Sequence, residues 1–100
     1  MADSKRNGGS SNKKRAAEVV REARQQLTEL TGRQAEAVLG IERDEDEGWQ
    51  VTLEVLELQR VPSTTDLLGC YVVHVDDQGE LVEYQRTRRY MRGQPDEDGR

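Results

Sequence analysis

The chain has 100 residues and a mass of 11.4 kDa, which leaves room for a single small domain. Apolar residues make up 33% of the sequence and charged residues 35%, so the hydrophobic core must be small. No apolar run approaches the roughly 18–20 residues that a membrane-spanning helix needs. The basic start of the chain has no apolar stretch behind it, so we expect no secretory signal and a cytoplasmic location.

The charges are unevenly distributed along the chain, although their sum is −5. Residues 1–13 are basic and rich in glycine, serine and asparagine, which predicts a disordered arm. Residues 94–100 are mostly polar and acidic, which predicts a disordered tail. A single domain is expected between them, over residues 14–93. Cys70 is the one cysteine and cannot form an internal disulfide, which fits a reducing compartment.

The first predicted element is an amphipathic helix. Its apolar residues are separated by alternating steps of four and three, which places them along one face of a helix. Asn12 is expected to cap its start and Gly32 to end it. The pattern is too short for a coiled coil, so the helix is expected to pack on a sheet. The residues of its apolar face are Ala16, Val20, Ala23, Leu27 and Leu30.

After Gly32 the apolar pattern changes to a period of two, which predicts strands. A first strand is expected over residues 36–43, with Val38 and Ile41 as its apolar content, and it ends at an acidic turn. The second, over residues 49–60, alternates cleanly until the apolar positions change parity. A β-bulge near Val55 and Leu56 would account for that change.

Pro62 cannot donate a ladder hydrogen bond, so a loop or a single helical turn is expected around it. Ser63 and Asp66 have the spacing of a capping box. A third strand is expected over residues 68–75, a tight turn that uses Gly79, and a fourth strand over residues 81–90. The fold class is therefore α+β, with an N-terminal helix packed on a four-stranded antiparallel meander.

The sequence offers few groups for catalysis or metal binding. Cys70 and His74 lie four residues apart in a predicted strand, which separates their backbones by roughly 13 Å, too far for a dyad or a shared zinc ion. The acids of residues 44–47 do not have the ligand spacing of a calcium-binding EF-hand. No glycine-rich phosphate loop or nucleophile elbow is present. We expect no enzyme activity, no catalytic residue, no cofactor and no metal.

Four arginines between positions 86 and 92 are interleaved with tyrosines. Guanidinium groups pair with phosphates and tyrosine rings can stack on bases, so this stretch could bind nucleic acid. The overall acidity disfavours that interpretation. Pairing of these arginines with Glu54, Glu57 or the acids of residues 36–47 across the sheet is favoured instead.

A single helix covers one face of a sheet and leaves the other open. Monomers rarely expose a broad apolar patch, so we expect the open face, or an unpaired edge strand, to contact another protein or a second copy of the chain. The alternative is that the loop at Pro62 or the tail folds over this face. Its apolar residues are Leu56, Leu58, Leu68, Cys70 and Val72.

The second half of the chain contains two motifs, Arg60-Val-Pro62-Ser-Thr-Thr-Asp66 and Tyr84-Gln-Arg86-Thr-Arg-Arg89-Tyr90-Met-Arg92. With these motifs the chain resembles the gas vesicle protein O family, in the form found in actinobacteria. The resemblance covers about residues 15–93.

The resemblance implies an accessory protein required for the assembly of gas vesicles, the hollow protein-walled compartments used for buoyancy. Such a protein would act by contacts with other gas vesicle proteins, in the cytoplasm or on the vesicle, without catalysis. The alternative is a nucleic-acid-binding regulator of gas vesicle gene expression that uses residues 86–92. The candidate partner-binding residues are Arg60, Asp66, Tyr84, Arg86, Arg89, Tyr90, Arg92, Leu56 and Leu58.

Overall fold

The computed structural model describes residues 15–45 and 47–94. In chain order the elements are α1 (Ala16–Thr31), β1 (Ala35–Arg43), β2 (Trp49–Leu58), one 3-10 turn (Ser63–Thr65), β3 (Leu67–Val75) and β4 (Leu81–Met91). The strands pair antiparallel in the order β1-β2-β3-β4. The predicted helix and four-stranded meander are thus confirmed. The predicted basic arm, Asn12 and residues 95–100 of the predicted tail lie outside the described residues.

Helix α1 packs on one face of the sheet through a line of residues spaced by four. Val19, Ala23 and Leu27 are fully buried there, and Val20 flanks them. The predicted apolar face was therefore wrong at both ends, since Ala16 is exposed and Leu30 is 59% exposed. Ala16 and Leu30 lie in the first and last turns, and contact with the sheet is confined to the middle of the helix.

The ends of α1 are set by backbone geometry. Gly32 has a left-handed φ of 73° and donates its N–H to the Thr28 carbonyl, which confirms it as the stop. At the other end the N-cap is Arg15, whose N–H is accepted by the Glu18 carboxylate at 3.3 Å. The Gln26 side chain bonds both the Gly79 carbonyl and the Leu81 N–H, which ties the helix to the β3–β4 turn.

The core lies between α1 and the sheet face below it, here called the helix side. Its fully buried members on β2 are Val51, Leu53 and Val55, as the alternation of that strand predicts. On β1, Val38 is 40% exposed, whereas Ala35 is buried. The reason is that β1 is an edge strand, so only part of its helix side is covered.

Two bulges determine which side chains share a face near one end of the sheet. In the β2–β3 ladder Leu56 pairs with Leu68 and Leu58 with Leu67, which leaves Glu57 as the extra residue. The bulge is therefore present but lies one to two residues beyond its predicted place. In the β3–β4 ladder Thr87 is the extra residue, between Arg86 and Arg88.

The loop before β3 contains the predicted helical turn, but its predicted capping box does not form. The Ser63–Thr65 turn has no side-chain cap bond. The Asp66 carboxylate accepts a bond from the Arg60 backbone N–H at 2.7 Å instead. Of the helices in the described ranges, none combines the length and the apolar content that crossing a membrane requires.

Candidate protein-contact site

On the helix side, the motif arginines Arg86 and Arg89 are arranged around one buried carboxylate, that of Glu57. The Glu57 side chain is 2% exposed. It accepts a hydrogen bond from the Tyr71 hydroxyl at 2.7 Å, from Arg89 Nε at 2.9 Å and from Arg86 Nη1 at 3.1 Å. The two arginines outnumber the single carboxylate, so the cluster keeps one surplus positive charge, and their side chains remain 43% and 49% exposed.

The two bulges bring these groups together. Residues 86 and 89 have opposite parity, so a regular strand would direct them to opposite faces. The extra residue Thr87 restores them to the same side, and its hydroxyl donates to the Cys70 carbonyl at 3.2 Å. Glu57 is itself the bulged residue of β2. The arrangement thus depends on two irregularities rather than on regular strand pairing.

Gly69 provides the space that the Glu57 carboxylate occupies. It lies in the ladder between Val55 and Arg89. A Cβ atom at this position would collide with Glu57 Oε2 and would lie 2.9 Å from the Tyr71 ring. Glycine is therefore favoured at this position, because the Glu57 carboxylate occupies the space that the side chain of another residue would need.

The protonation of Glu57 follows from its partners. Burial raises the pKa of the Glu57 carboxyl, but the hydrogen bonds from Tyr71, Arg89 and Arg86 outweigh it, so the pKa lies below its ordinary value of 4.5. Burial and the bond to Glu57 both raise the pKa of Tyr71. At neutral pH the cluster therefore contains a carboxylate, two guanidinium ions and a neutral phenol.

The Glu57→Gln variant is expected to be less stable than the wild type at pH about 6, and the difference should shrink as the pH falls below 4.5 through the lowered pKa of Glu57. A carboxyl whose pKa is lower in the folded state stabilises the fold above its unfolded pKa, and this stabilisation is lost as the pH falls through the folded value. The measurement is the thermal midpoint of both proteins across this range. A constant difference between them would contradict the assignment.

A second cluster lies where β2 ends and β3 begins. Asp66 is 3% exposed and accepts bonds from the Arg60 N–H and from Arg92 Nε at 3.1 Å. The bond from Arg60 is the main cause of the lowered pKa of Asp66, and Arg92 adds to it against the cost of burial. Arg92 Nη2 also lies 2.9 Å from the Glu36 carboxylate of β1. Arg92 therefore links the segment after β4 to the opposite edge strand.

The face opposite α1 is less open than the sequence predicts. Leu68 and Cys70 are only 2% and 5% exposed. Tyr90 pairs with Leu68 on one side of β3, and its hydroxyl donates to Glu54 Oε2 at 2.6 Å on the other side, so its ring crosses over β3. The prediction of a broad uncovered face was wrong at these two residues, because β4 supplies a cover.

Leu56 and Leu58 were predicted to share that face, and the register separates them. Leu56 is half-buried and pairs with Leu68 opposite α1. Leu58 is 46% exposed and pairs with Leu67, whose parity places it on the helix side. The bulge at Glu57 is the cause.

The candidate residues therefore fall into three groups. Tyr84, Arg86 and Arg89 lie on the helix side of β4, exposed, and the Tyr84 ring centroid lies 6.2 Å from that of Tyr71. We call these three residues the arginine platform. Arg60, Asp66 and Arg92 meet at the sheet end, with exposed Leu58 near them on the helix side. Tyr90 and Leu56 lie on the other face.

Glu36, Glu57 and Gly69 contact or border the candidate residues, and sequence reasoning did not select them as site residues. The acids were considered as partners of the arginines, and the structure confirms Glu57 with Arg86 and Arg89. A glutamate among leucines near a strand end was the available signal for Glu57. The preference for glycine at position 69 depends on a contact between strands, so no local sequence pattern predicts it.

Cys70 and His74 are separated as the strand spacing predicts. Cys70 is buried, whereas the His74 side chain is 31% exposed, with Nδ1 3.5 Å from Asp44 Oδ2. Across the parts of the chain that the structure describes, no group of three or more histidine, cysteine, aspartate or glutamate side chains is arranged to hold a metal ion.

The chain is similar to three proteins whose names identify them as gas vesicle proteins. Over 78% of its length the chain is 55% identical to "Gas vesicle protein O" of Streptomyces sp. (strain CB03234), and it covers 60% of that protein. It is 36% identical over 76% of its length to "Gas vesicle protein O1" of Halobacterium salinarum, and 33% identical over 76% to "Gas vesicle protein O" of Haloferax mediterranei. It covers 63% and 54% of these two proteins.

The chain thus spans about three-fifths of the length of these relatives. No solved structure matches it. Residues 2–96 match the family described as "Gas vesicle synthesis protein GvpO". The match extends over nearly the whole sequence, and the chain therefore belongs to the GvpO family of gas vesicle synthesis proteins.

Proposed function

We propose that this chain is an accessory protein of gas vesicle assembly, acting in the cytoplasm or at the vesicle through contacts with other gas vesicle proteins. We further propose the domain organisation expected from the sequence, with a basic arm over residues 1–13, one domain over 14–93 and a tail from 94. Family membership supports the role in gas vesicle formation. The contact mechanism is supported by the geometry of the arginine platform.

The observation that carries the proposal is that one buried carboxylate holds two half-exposed arginines in place. Both guanidinium groups are anchored on Glu57 Oε1, at 3.1 Å and 2.9 Å. Anchoring reduces the side-chain entropy that a partner would otherwise have to remove on binding. The surplus positive charge and the neighbouring ring of Tyr84 suit an acidic protein surface, because arginine and tyrosine are enriched where proteins bind tightly.

The other candidate residues are proposed to support or extend this contact. Asp66 and Arg92 hold the end of β4 against β3, since the Arg92 N–H also donates to the Asp66 carbonyl at 2.8 Å. Exposed Leu58 lies near the same end on the helix side. Arg60, Tyr90 and Leu56 lie around that end or on its other face, within reach of a partner that wraps around it.

The test replaces the whole cluster at once, as Glu57→Gln/Arg86→Gln/Arg89→Gln, so that no buried charge is left without a partner. In cells that carry the vesicle genes, this variant is expected to reduce vesicle number severalfold, as counted by electron microscopy. Binding of the purified variant to individually purified gas vesicle proteins should fall in parallel. Thermal unfolding establishes that both proteins are folded.

The matched control is Arg88→Gln, which changes the net charge equally but lies on the opposite face of β4. It should leave vesicle number and binding near wild type. Normal vesicles with the triple variant would overturn the proposal. Salt-sensitive binding of the wild type to RNA or DNA that the triple variant loses would instead favour the regulator of gene expression.

A further inference from the structure

The two edge strands of the sheet differ in how they are protected against pairing with another strand. Natural edge strands usually carry charges that prevent such pairing. The exposed middle of β4 carries Glu83 and three arginines. The middle of β1, residues 37–41, reads Ala-Val-Leu-Gly-Ile and has no charge at all. Val38 and Leu39 are 40% and 49% exposed there.

The outer edge of β1 is also accessible to an added strand. Within residues 15–45 and 47–94, β2 is the only strand that pairs with it. Between α1 and the start of β1 lies an open groove of about 780 Å³, bordered by Ala17, Val20 and Ala35. Arg24 Nη2 donates to the Ala35 carbonyl at 2.9 Å and fixes the helix beside the strand. A strand added to β1 would therefore lie beside this groove.

The sequence of β1 is complementary to itself in one antiparallel register. If Val38 lies opposite Ile41 of a second copy, Glu36 lies opposite Arg43, and the twofold symmetry forms each pair twice. Val38 and Ile41 pair with Leu53 and Val51 of β2, and both belong to the helix side because Leu39 is an extra residue between them. Glu36 is the extra residue of a second irregularity and lies 2.9 Å from Arg92 of its own chain, so a pair with Arg43 would add to that contact. Apolar and oppositely charged cross-strand pairs each stabilise a sheet.

Neighbouring registers are disfavoured by charge. A shift of one residue in one direction places Glu36 opposite Glu42, and a shift in the other direction places it opposite Asp44. Like charges directly opposite each other destabilise a strand pair. One register is thus selected over both of its neighbours.

We infer that two copies of this chain pair through β1 in the register that places Val38 opposite Ile41, forming a closed twofold dimer with a continuous eight-stranded sheet. The twofold axis runs through the sheet, so both helices lie on the same side. Each β4 then forms an outer edge, and both arginine platforms stay accessible. The inference is independent of the proposed function, although a dimer would present the platform twice and strengthen binding to a repetitive partner.

The test is the mass of the full chain by sedimentation equilibrium, from about 10 to 500 µM. We expect a concentration-dependent approach to twice the chain mass of 11.4 kDa. Val38→Lys should raise the dissociation constant about tenfold or more, because it places a charge opposite Ile41. The matched control is Val82→Lys on β4, where the native side chain is 65% exposed, and it should have little effect.

Charge exchange tests the register itself. Glu36→Arg and Arg43→Glu should each weaken the dimer, and the double exchange should restore it. Loss of the contacts that these residues make within one copy, Glu36 with Arg92 and Arg43 with the Trp49 ring, would not be restored by the exchange. A chain that is monomeric at all concentrations overturns the inference. A dimer whose dissociation constant does not change with Val38→Lys also overturns it, as does a dimer that is lost when residues 1–14 are removed.

Discussion

Leu27→Ala is expected to lower the free energy of unfolding by about 2–5 kcal/mol, the range observed when a buried leucine is reduced to alanine. The Leu27 side chain projects from α1 and is fully buried against the core residues of β2 and β3. The substitution removes apolar contact and leaves a cavity that the rigid sheet cannot fill. Small domains are stable by only about 5–15 kcal/mol, so this loss would be a large fraction of the free energy of unfolding of the whole protein.

Leu30→Ala is the matched control, on the same helix and with the same change of side chain. Leu30 is 59% exposed, so we expect its effect to be below about 0.5 kcal/mol. Chemical denaturation of both variants gives the two values. Equal losses would mean that α1 is rotated relative to the arrangement described above.

Gly69→Ala is expected to lower the free energy of unfolding by about 1–3 kcal/mol, the typical cost of forcing extra atoms into a packed site. The added methyl group collides with Glu57 Oε2 and with the Tyr71 ring. The carboxylate must then move, and its bonds to Tyr71 and the two arginines lengthen or break. Gly40→Ala is the control, since a Cβ there meets no atom within 4 Å.

A double-mutant cycle shows whether the effect passes through Glu57. In a Glu57→Ala background the methyl group has no carboxylate to displace, so the cost of Gly69→Ala should fall to the part caused by Tyr71. The measurement is again the free energy of unfolding. If the two substitutions are additive, the glycine is required for another reason, and the assignment of its role fails.

The elements of this fold were largely predictable because each depends on local chemistry. The helix ends at Gly32 because a residue without a side chain adopts the left-handed conformation easily. The alternation of β2 marks the strand and its buried face. Gly79, with a φ of 89°, forms the turn expected between β3 and β4. In each case neighbouring residues carry the information.

The candidate site was predictable only as a set of residue types. The motif arginines and tyrosines were visible in the sequence, and their pairing with acids was favoured. The particular partners were not, because they depend on bulges. A pattern with period two cannot show that Thr87 is an extra residue in the ladder. If the bulge at Thr87 is not known, Arg86 and Arg89 are assigned to opposite faces.

Hydrophobic period, turn residues and charge thus determined, from the sequence alone, that this chain forms a helix followed by an antiparallel meander. Tertiary structure decided which arginines meet Glu57, why position 69 favours glycine and how Tyr90 crosses over β3 next to Leu68 and Cys70. The physical reason is that helices and strands arise from neighbours along the chain. The site arises from the register between strands, which joins residues about 30 positions apart.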